Sequence, residues 1–303
     1  MNSPLITLIP SPLRRFVLTA SAAVLTLTTT LAPAQDNFGK VEIKVTKVAG
    51  TVYLLEGSGG NIAVSVGDDG VLMVDDEFAP LAPKIKAAIK GLSNKPIKFV
   101  LNTHFHGDHA GGNPEFGREA VIVAHDNVHQ RLKAGTDGKA PLPESLPVIS
   151  FNDTATVHLN GEDIRAIHFP HGHTDGDSVI YFPKSNVVHM GDDFVTYGFP
   201  FVDTGSGGSI SGMIAGLEKA LAMLPPDVKV IPGHGPISTP DDVRKFIAMM
   251  KDTRTLVANA LQAGQSAEDM KKGNVLAKYA DLGKGFIKTD AWIEQLCADV
   301  KKK

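Results

Sequence analysis

A segment rich in histidine and aspartate, THFHGDHAGG at residues 103–112, follows one residue after the apolar run IKFVL. It brings His104, His106, Asp108 and His109 into one short stretch. Imidazole nitrogens and carboxylate oxygens are ligands that zinc and similar metals favour. The small residues between and after them let the backbone bend tightly, so that side chains on a loop leaving a buried strand can converge. The segment therefore predicts part of a metal site whose remaining ligands come from elsewhere.

Three further side chains of the same kinds follow apolar runs later in the chain. His173 lies in HFPHGHTDGD, Asp192 in VVHMGDDF and His234 in VIPGHGP, each next to glycine. This recurrence at predicted strand ends is hard to attribute to chance, because loops at one edge of a sheet are where sites are built. On spacing alone, His171 competes with His173, and Asp193 competes with Asp192.

The elements that must position these residues can be predicted from hydrophobic periodicity and turn signals. Short β-rich runs fill residues 40–74. Helices are predicted at 81–92, 126–135, 209–224 and 240–264, and the C-terminus is expected to be helical and polar. Further strands are predicted at 97–103, 120–125, 154–159, 164–169, 178–182, 186–190 and 228–232, with a loop at 136–147. This order favours an α/β fold, an αββα sandwich of two mixed sheets flanked by helices, formed by residues 35–303 as one domain.

Taken in order, THFHGDH, GHTDGD, HMGDD and IPGHG resemble the motifs of the metallo-β-lactamase superfamily. The resemblance extends over nearly all of residues 35–303, and it implies the αββα fold with two Zn²⁺ ions bound between the sheets. The ligands implied are His104, His106 and His173 for the first zinc, Asp108, His109 and His234 for the second, and Asp192 as the bridge. Asp75, at the end of VLMVD, matches an early aspartate that supports the ligand loop from behind.

The implied chemistry is hydrolysis. Two cations that share a water lower its pKa toward neutrality, so that the resulting hydroxide can attack a carbonyl carbon while Asp108 orients it and relays its proton. A β-lactam is the first substrate expected, and lactone, ester or thioester hydrolysis is the alternative. Asp192 stands where many family lactamases have cysteine, and Val195 stands where they place a lysine that grips the substrate carboxylate. A mononuclear iron sulfur dioxygenase of the same fold also stays open.

Residues 1–34 predict a secretory signal peptide. Arg14 and Arg15 precede an apolar run from Phe16 to about Leu31, and an Ala-Pro-Ala site predicts cleavage after Ala34. The run is diluted with serine and threonine, and a membrane span needs about 20 apolar residues. We therefore expect a periplasmic or secreted protein without stable membrane insertion.

Net charge and cysteine content limit the kinds of partner and metal site that can be expected. A net charge of −3 over 303 residues argues against a nucleic-acid partner, which leaves a small-molecule substrate. The single cysteine, Cys297, allows neither an intramolecular disulfide nor a thiolate-rich zinc site.

The histidines outside the ligand set have structural interpretations. His125 and His129 are predicted on a solvated helix face, and His158, His168 and His189 are expected to form hydrogen bonds in strands. The stretch FPFVDTGSGGS at 199–209 fits a substrate-side loop or a plain connector equally well.

Overall fold

The computed structural model describes residues 38–135 and 140–301. The predicted signal peptide and its cleavage site lie outside these residues, as does part of the predicted 136–147 loop. In the described chain the strands are β1 Lys44–Ala49, β2 Val52–Glu56, β3 Ile62–Gly67, β4 Gly70–Val74, β5 Glu77–Phe78, β6 Ile97–Leu101, β7 Val121–His125, β8 Ile149–Phe151, β9 Thr154–Leu159, β10 Glu162–His168, β11 Ser178–Phe182, β12 Val187–His189 and β13 Lys229–Ile231. The helices are α1 Ala82–Leu92, α2 Gly107–Ala110, α3 Asn113–Phe116, α4 Asp126–Ala134, α5 Ile210–Met223, α6 Pro240–Gln262, α7 Ala267–Lys272 and α8 Thr289–Lys301.

Two mixed sheets form the centre of the fold. The first has seven strands in the order β1-β2-β3-β4-β6-β7-β8, antiparallel from β1 to β4 and parallel from β4 to β8. The second has five strands in the order β13-β12-β11-β10-β9, antiparallel except for the parallel pair β12 and β13. Buried runs such as GVLMV in β4 suit strands covered on both faces.

The core lies in three layers that follow from this arrangement. Between the sheets, Leu72 and Leu101 of the first belong to one buried cluster with Ile164 and Phe182 of the second. Helix α1 covers the outer face of the first sheet, and α5, α6 and α8 cover the outer face of the second. The predicted αββα sandwich is therefore confirmed.

Two details differ from the sequence prediction. The C-terminal helix α8 is amphipathic rather than polar, because it buries Trp292, Ile293 and Leu296 against α6 and its neighbours. The ligand segment is not wholly a loop, since residues 107–110 form one helical turn, α2. None of the helices in the described chain has the length and apolar character needed to cross a membrane.

Candidate metal centre

Strands of both sheets deliver the predicted ligands to one edge of the sandwich. In the first sheet, β4 and β6 run parallel, so that Asp75 and the 102–109 segment leave the same edge. In the second sheet, β12 and β13 run parallel, and they end just before Asp192 and His234. Strand β10 runs in the same direction as β12, because β11 is antiparallel to both, and it leads to His173.

The predicted ligand side chains converge at this edge. Their ligand atoms fall into three overlapping groups, each within 4.8 Å: His104, His106 and His173; His104, His109 and Asp192; Asp108, His109 and His234. In the first group, His173 Nε2 lies 2.8 Å from His106 Nδ1. In the third, His234 Nε2 lies 3.2 Å from Asp108 Oδ2 and 3.3 Å from His109 Nε2.

Asp192 lies between the two outer groups. Its Oδ1 is 3.1 Å from His109 Nε2 and 3.5 Å from His234 Nε2. Its Oδ2 faces the other way, 3.8 Å from His173 Nε2. One carboxylate therefore offers an oxygen to each side, which is the placement a bridging ligand needs.

The buried side of the centre is held by Asp75, whose backbone has a positive φ of 62° that aspartate tolerates. Its carboxylate accepts hydrogen bonds from the backbone N–H of Thr103 at 2.7 Å and the Thr103 hydroxyl at 2.8 Å. It also accepts from His109 Nδ1 at 2.8 Å, which leaves Nε2 of that ring facing the cluster. The Thr103 hydroxyl donates to Asp75, so it accepts from His104 Nδ1 at 3.0 Å and turns His104 Nε2 inward.

The solvent-facing side is held by groups that the sequence prediction missed. Asp203 Oδ2 accepts from His106 Nε2 at 3.1 Å, and the carbonyl of Phe201 accepts from His173 Nδ1 at 2.8 Å. Both belong to the 199–209 stretch, which therefore supports ligands. A backbone carbonyl leaves no signal in the sequence, and Asp203 is separated from His106 by 97 residues. The one available signal was the turn pattern of Asp203 with Ser206, whose N–H it accepts at 3.0 Å.

These hydrogen bonds show that the cluster fits a metal. Because His106 donates through Nε2 and His173 through Nδ1, their other ring nitrogens present lone pairs to each other across 2.8 Å. His104 Nε2 is buried and has no hydrogen-bond partner among the described residues. Lone pairs aimed at one point and an unpartnered buried nitrogen are costly unless a cation binds there.

The electrostatics of the cluster favour the deprotonated, metal-binding form of His104 and Asp108. Burial lowers the pKa of His104, and the neighbouring His109 and His173 lower it further. Burial alone would raise the pKa of Asp108, but His109 and His234 outweigh it and bring the pKa to about 2. His109 behaves differently, since burial lowers its pKa while Asp192 and Asp108 raise it well above the usual value.

The competing residues lie elsewhere. His171 is exposed and its Nδ1 contacts the carbonyl of Gly207 at 3.1 Å. Asp193 accepts from the backbone N–H of His173 at 3.0 Å, so it supports the ligand loop from below. Neither belongs to a ligand group within the described chain.

Of the remaining histidines, His125 contradicts the prediction. It is buried at the end of β7, where it caps α4 and stacks on His168 at 3.6 Å between ring centroids, so it is not on a solvated helix face. His129, His158, His168 and His189 form hydrogen bonds to Pro147, Asp163, Asp177 and Asn61 respectively.

A cleft of about 750 Å³ opens above the cluster. Its floor includes His106, Asp108, Asp192 and His234, so several of the predicted ligands are reachable from solvent. Val195, the position of the lysine in many lactamases, is buried in the core under the outer helices and does not line this cleft. The site thus combines a metal-binding floor with room for a small molecule.

Comparison with known proteins identifies the family by sequence and finds the same fold in solved structures. A sequence model described as "Metallo-beta-lactamase superfamily" matches residues 45–234. The chain is 31% identical over 153 residues to a hydroxyacylglutathione hydrolase of Pelagibacter ubique, covering 49% of this chain and 57% of that protein. It is 25% identical over 208 residues to a "Metallo-beta-lactamase type 2" of Bacteroides fragilis, covering 64% of this chain and 80% of that protein.

The fold comparison covers more of the chain. The crystal structure of the DIM-1 metallo-beta-lactamase superposes with a TM-score of 0.60 at 18% identity, over 70% of this chain and 99% of that one. The matched parts span only 34% to 57% of the length of the first three curated relatives. The match of the family model to more than half of the chain shows that the protein belongs to the metallo-β-lactamase superfamily, and the shared fold agrees with this.

Proposed function

We propose that the protein is an exported two-zinc hydrolase that opens an amide, ester or thioester bond of a small acyl compound. The observation that carries this proposal is the convergence of ligand atoms, with lone pairs aimed at one another, on the floor of an open cleft. In the proposed assignment seven side chains would hold the two ions. His104, His106 and His173 would bind one, Asp108, His109 and His234 would bind the other, and Asp192 would bind both.

Bound zinc would lower the pKa of a water in the site and polarise the substrate carbonyl. The protein's own groups have distinct tasks. The carboxylate of Asp108, ionised and partly open to the cleft, can accept a hydrogen bond from the attacking water and take up its proton. Asp75 and Asp203 fix the ring orientation of His109 and His106, so that the floor of the cleft keeps its shape during the reaction.

Two substrate classes follow. The β-lactam expected from the sequence is supported by the Bacteroides fragilis relative, which matches over 80% of its length. Lactones, esters and thioesters are supported by the cleft, because no lysine or arginine lines it in the described chain and a β-lactam carboxylate would lack a partner. The relative named hydroxyacylglutathione hydrolase supports a thioester as the bond cleaved, whereas the carboxylates of a glutathione group would also find no lysine or arginine among the described residues of this cleft. We place this second class first for the present chain.

The location is part of the proposal. The N-terminal signal features support export to the periplasm or medium, with a small-molecule substrate and no nucleic-acid partner. Expression of the full chain in a bacterium, followed by fractionation and N-terminal sequencing, tests this. An exported product beginning at Gln35 is expected, and an uncleaved product in the cytoplasm would contradict it.

The activity is tested on that purified protein with a chromogenic cephalosporin, a p-nitrophenyl ester and a thioester, with zinc added or removed by chelator. We expect zinc-dependent kcat/KM of about 10⁴ M⁻¹s⁻¹ or more for at least one class. His173→Asn should abolish this turnover, whereas His171→Asn, its matched control two positions earlier, should keep it. Turnover that survives removal of metal, or that survives His173→Asn, would overturn the proposal.

A further inference from the structure

The walls of the cleft are aromatic where its floor is polar. Phe78, Tyr197, Phe201 and Phe286 line it, and the ring centroids of Tyr197 and Phe286 lie 6.1 Å apart in an edge-to-face arrangement. We refer to these four residues as the aromatic rim. Aromatic side chains offer a large apolar contact area at little cost in side-chain entropy, so such walls suit an apolar part of a ligand.

Phe286 is the most unusual member of the rim because its side chain is 72% exposed. The loop that presents it is nevertheless tightly packed. A Cβ on Gly285 would lie 2.0 Å from the carbonyl oxygen of Tyr197, and one on Gly198, where φ is +133°, would lie 2.3 Å from that of Leu282. Backbone contact this close requires glycine at both positions. The backbone that carries the exposed ring is therefore closely packed at the mouth of the cleft.

The charge of the walls is equally informative. The charged groups that line the cleft in the described chain are Asp108 and Asp192, both assigned to the proposed metal centre, together with its histidines. The nearest arginine in the adjoining cavity, Arg131, is paired through two hydrogen bonds of 2.7 Å with Asp175. An anionic substituent on the substrate would thus find no cationic side chain on these walls.

Part of the rim lies outside the residues that the family model matches. Phe286 and Ile287 lie beyond residue 234, where the match to the family model ends. Pairing of Ile287 with Phe199 attaches this C-terminal segment to the wall of the cleft. One wall of the cleft is therefore formed in part by residues outside the range that the family model matches.

We propose that the aromatic rim selects substrates whose acyl group is uncharged and apolar, an alkyl chain or an aromatic ring, and that Phe286 is a specificity-determining residue. This inference rests on the proposed hydrolase function and names its substrate class. The apolar group would lie against Phe286 and Tyr197, with the scissile carbonyl directed to the floor of the cleft.

The test first varies the charge of the ester's acyl group at constant length and then varies its length at constant charge. On the zinc-loaded protein, kcat/KM is measured for p-nitrophenyl butyrate against p-nitrophenyl hydrogen succinate, and for p-nitrophenyl octanoate against acetate. We expect the neutral and the longer ester each to be preferred by about tenfold or more. Phe286→Ala should reduce the octanoate-to-acetate ratio about fivefold, mainly through KM. The matched control is Val148→Ala, equally exposed at 72% but outside the cleft lining, and it should leave both ratios unchanged.

A binding measurement separates this inference from the proposed function. The neutral fluorophore N-phenyl-1-naphthylamine is titrated into each protein, and Phe286→Ala should weaken its binding about fivefold while Val148→Ala should not. Rim-dependent binding with no turnover of the cephalosporin, the ester or the thioester would overturn the proposed function but support the role of the rim in binding. The proposed selectivity of the rim would be overturned, even if hydrolysis is observed, by a preference for the succinate ester. It would also be overturned if Phe286→Ala changed neither the octanoate-to-acetate ratio nor the fluorophore affinity.

Discussion

Two carboxylate–histidine pairs flank the candidate metal centre, and they differ in their access to water. Asp75 and His109 meet at 2.8 Å with both side chains 0% exposed. Asp203 and His106 meet at 3.1 Å with side chains 21% and 20% exposed. Each pair fixes which ring nitrogen faces the cluster, so their local role is the same although their surroundings are not.

The difference separates folding from metal binding. Removing one partner of a buried ion pair leaves an uncompensated charge in a medium of low polarity, which is strongly destabilising. Removing one partner of a pair that water can reach costs less, because water replaces it. The buried pair should therefore affect stability and metal binding together, whereas the partly exposed pair should affect metal binding with a smaller change in stability.

The largest effects on activity are expected where a ligand itself is removed. His106→Ala and Asp108→Ala should abolish turnover, because each deletes a proposed ligand at the floor of the cleft. Both side chains are partly exposed, so the free energy of unfolding of the metal-free protein should change by less than about 1 kcal/mol. Steady-state kinetics and urea denaturation measure the two quantities. Turnover at the wild-type rate in either variant would refute the ligand assignment.

The next largest effect, on both stability and zinc affinity, is expected from Asp75→Asn in the buried pair. The variant loses the charge that faces His109 and weakens the two bonds from Thr103, so the free energy of unfolding should fall by about 3 to 5 kcal/mol. Zinc affinity should fall as well. Denaturation of the chelator-treated protein isolates the first effect, and a loss below about 1 kcal/mol would show that the buried pair is not the stabilising contact inferred here.

Much of the fold and most of the metal centre could be predicted from the sequence, but some of the supporting contacts could not. Strand ends, glycine-flanked ligand types and the early aspartate at position 75 could be predicted, because each leaves a local pattern of residue types. The αββα layers followed from the order of those elements. The structure then brought together all seven predicted ligands, including His173 and Asp192, whose neighbours His171 and Asp193 had matching spacing.

What the sequence could not supply is contact between distant segments. Asp203 supports His106 across 97 positions, and Phe286 joins Tyr197 from the C-terminal segment. His125 was placed on a solvated face because its i,i+4 partner His129 suggested a helix, whereas it ends a strand and is buried against His168. In each case tertiary packing determines which residues are in contact, and hydrophobic periodicity does not predict such contacts.

A smaller effect on stability is expected from Asp203→Asn in the partly exposed pair. The amide can no longer act as a charged acceptor for His106 Nε2, so the ring is less firmly oriented. Zinc affinity, measured by competition with a chromogenic chelator, should fall about 10- to 100-fold. The free energy of unfolding of the metal-free protein should stay within about 1 kcal/mol of wild type. A loss of stability comparable to that of Asp75→Asn would remove the distinction between the two pairs.

The smallest effect on zinc affinity is expected from Arg131, which acts on the turn that contains Asp203 through Asp175. Arg131 binds Asp175 through two hydrogen bonds, and the backbone N–H of Asp175 donates to the carbonyl of Ser206, in the turn that Asp203 begins. Because the Arg131 side chain is about a quarter exposed, Arg131→Met should lower zinc affinity by no more than about fivefold. Arg118→Met, an exposed arginine paired with Glu144, is the matched control and should change nothing. If Arg131→Met weakened zinc as strongly as Asp203→Asn, the orientation of His106 would depend on the whole turn and not on the single carboxylate that contacts it.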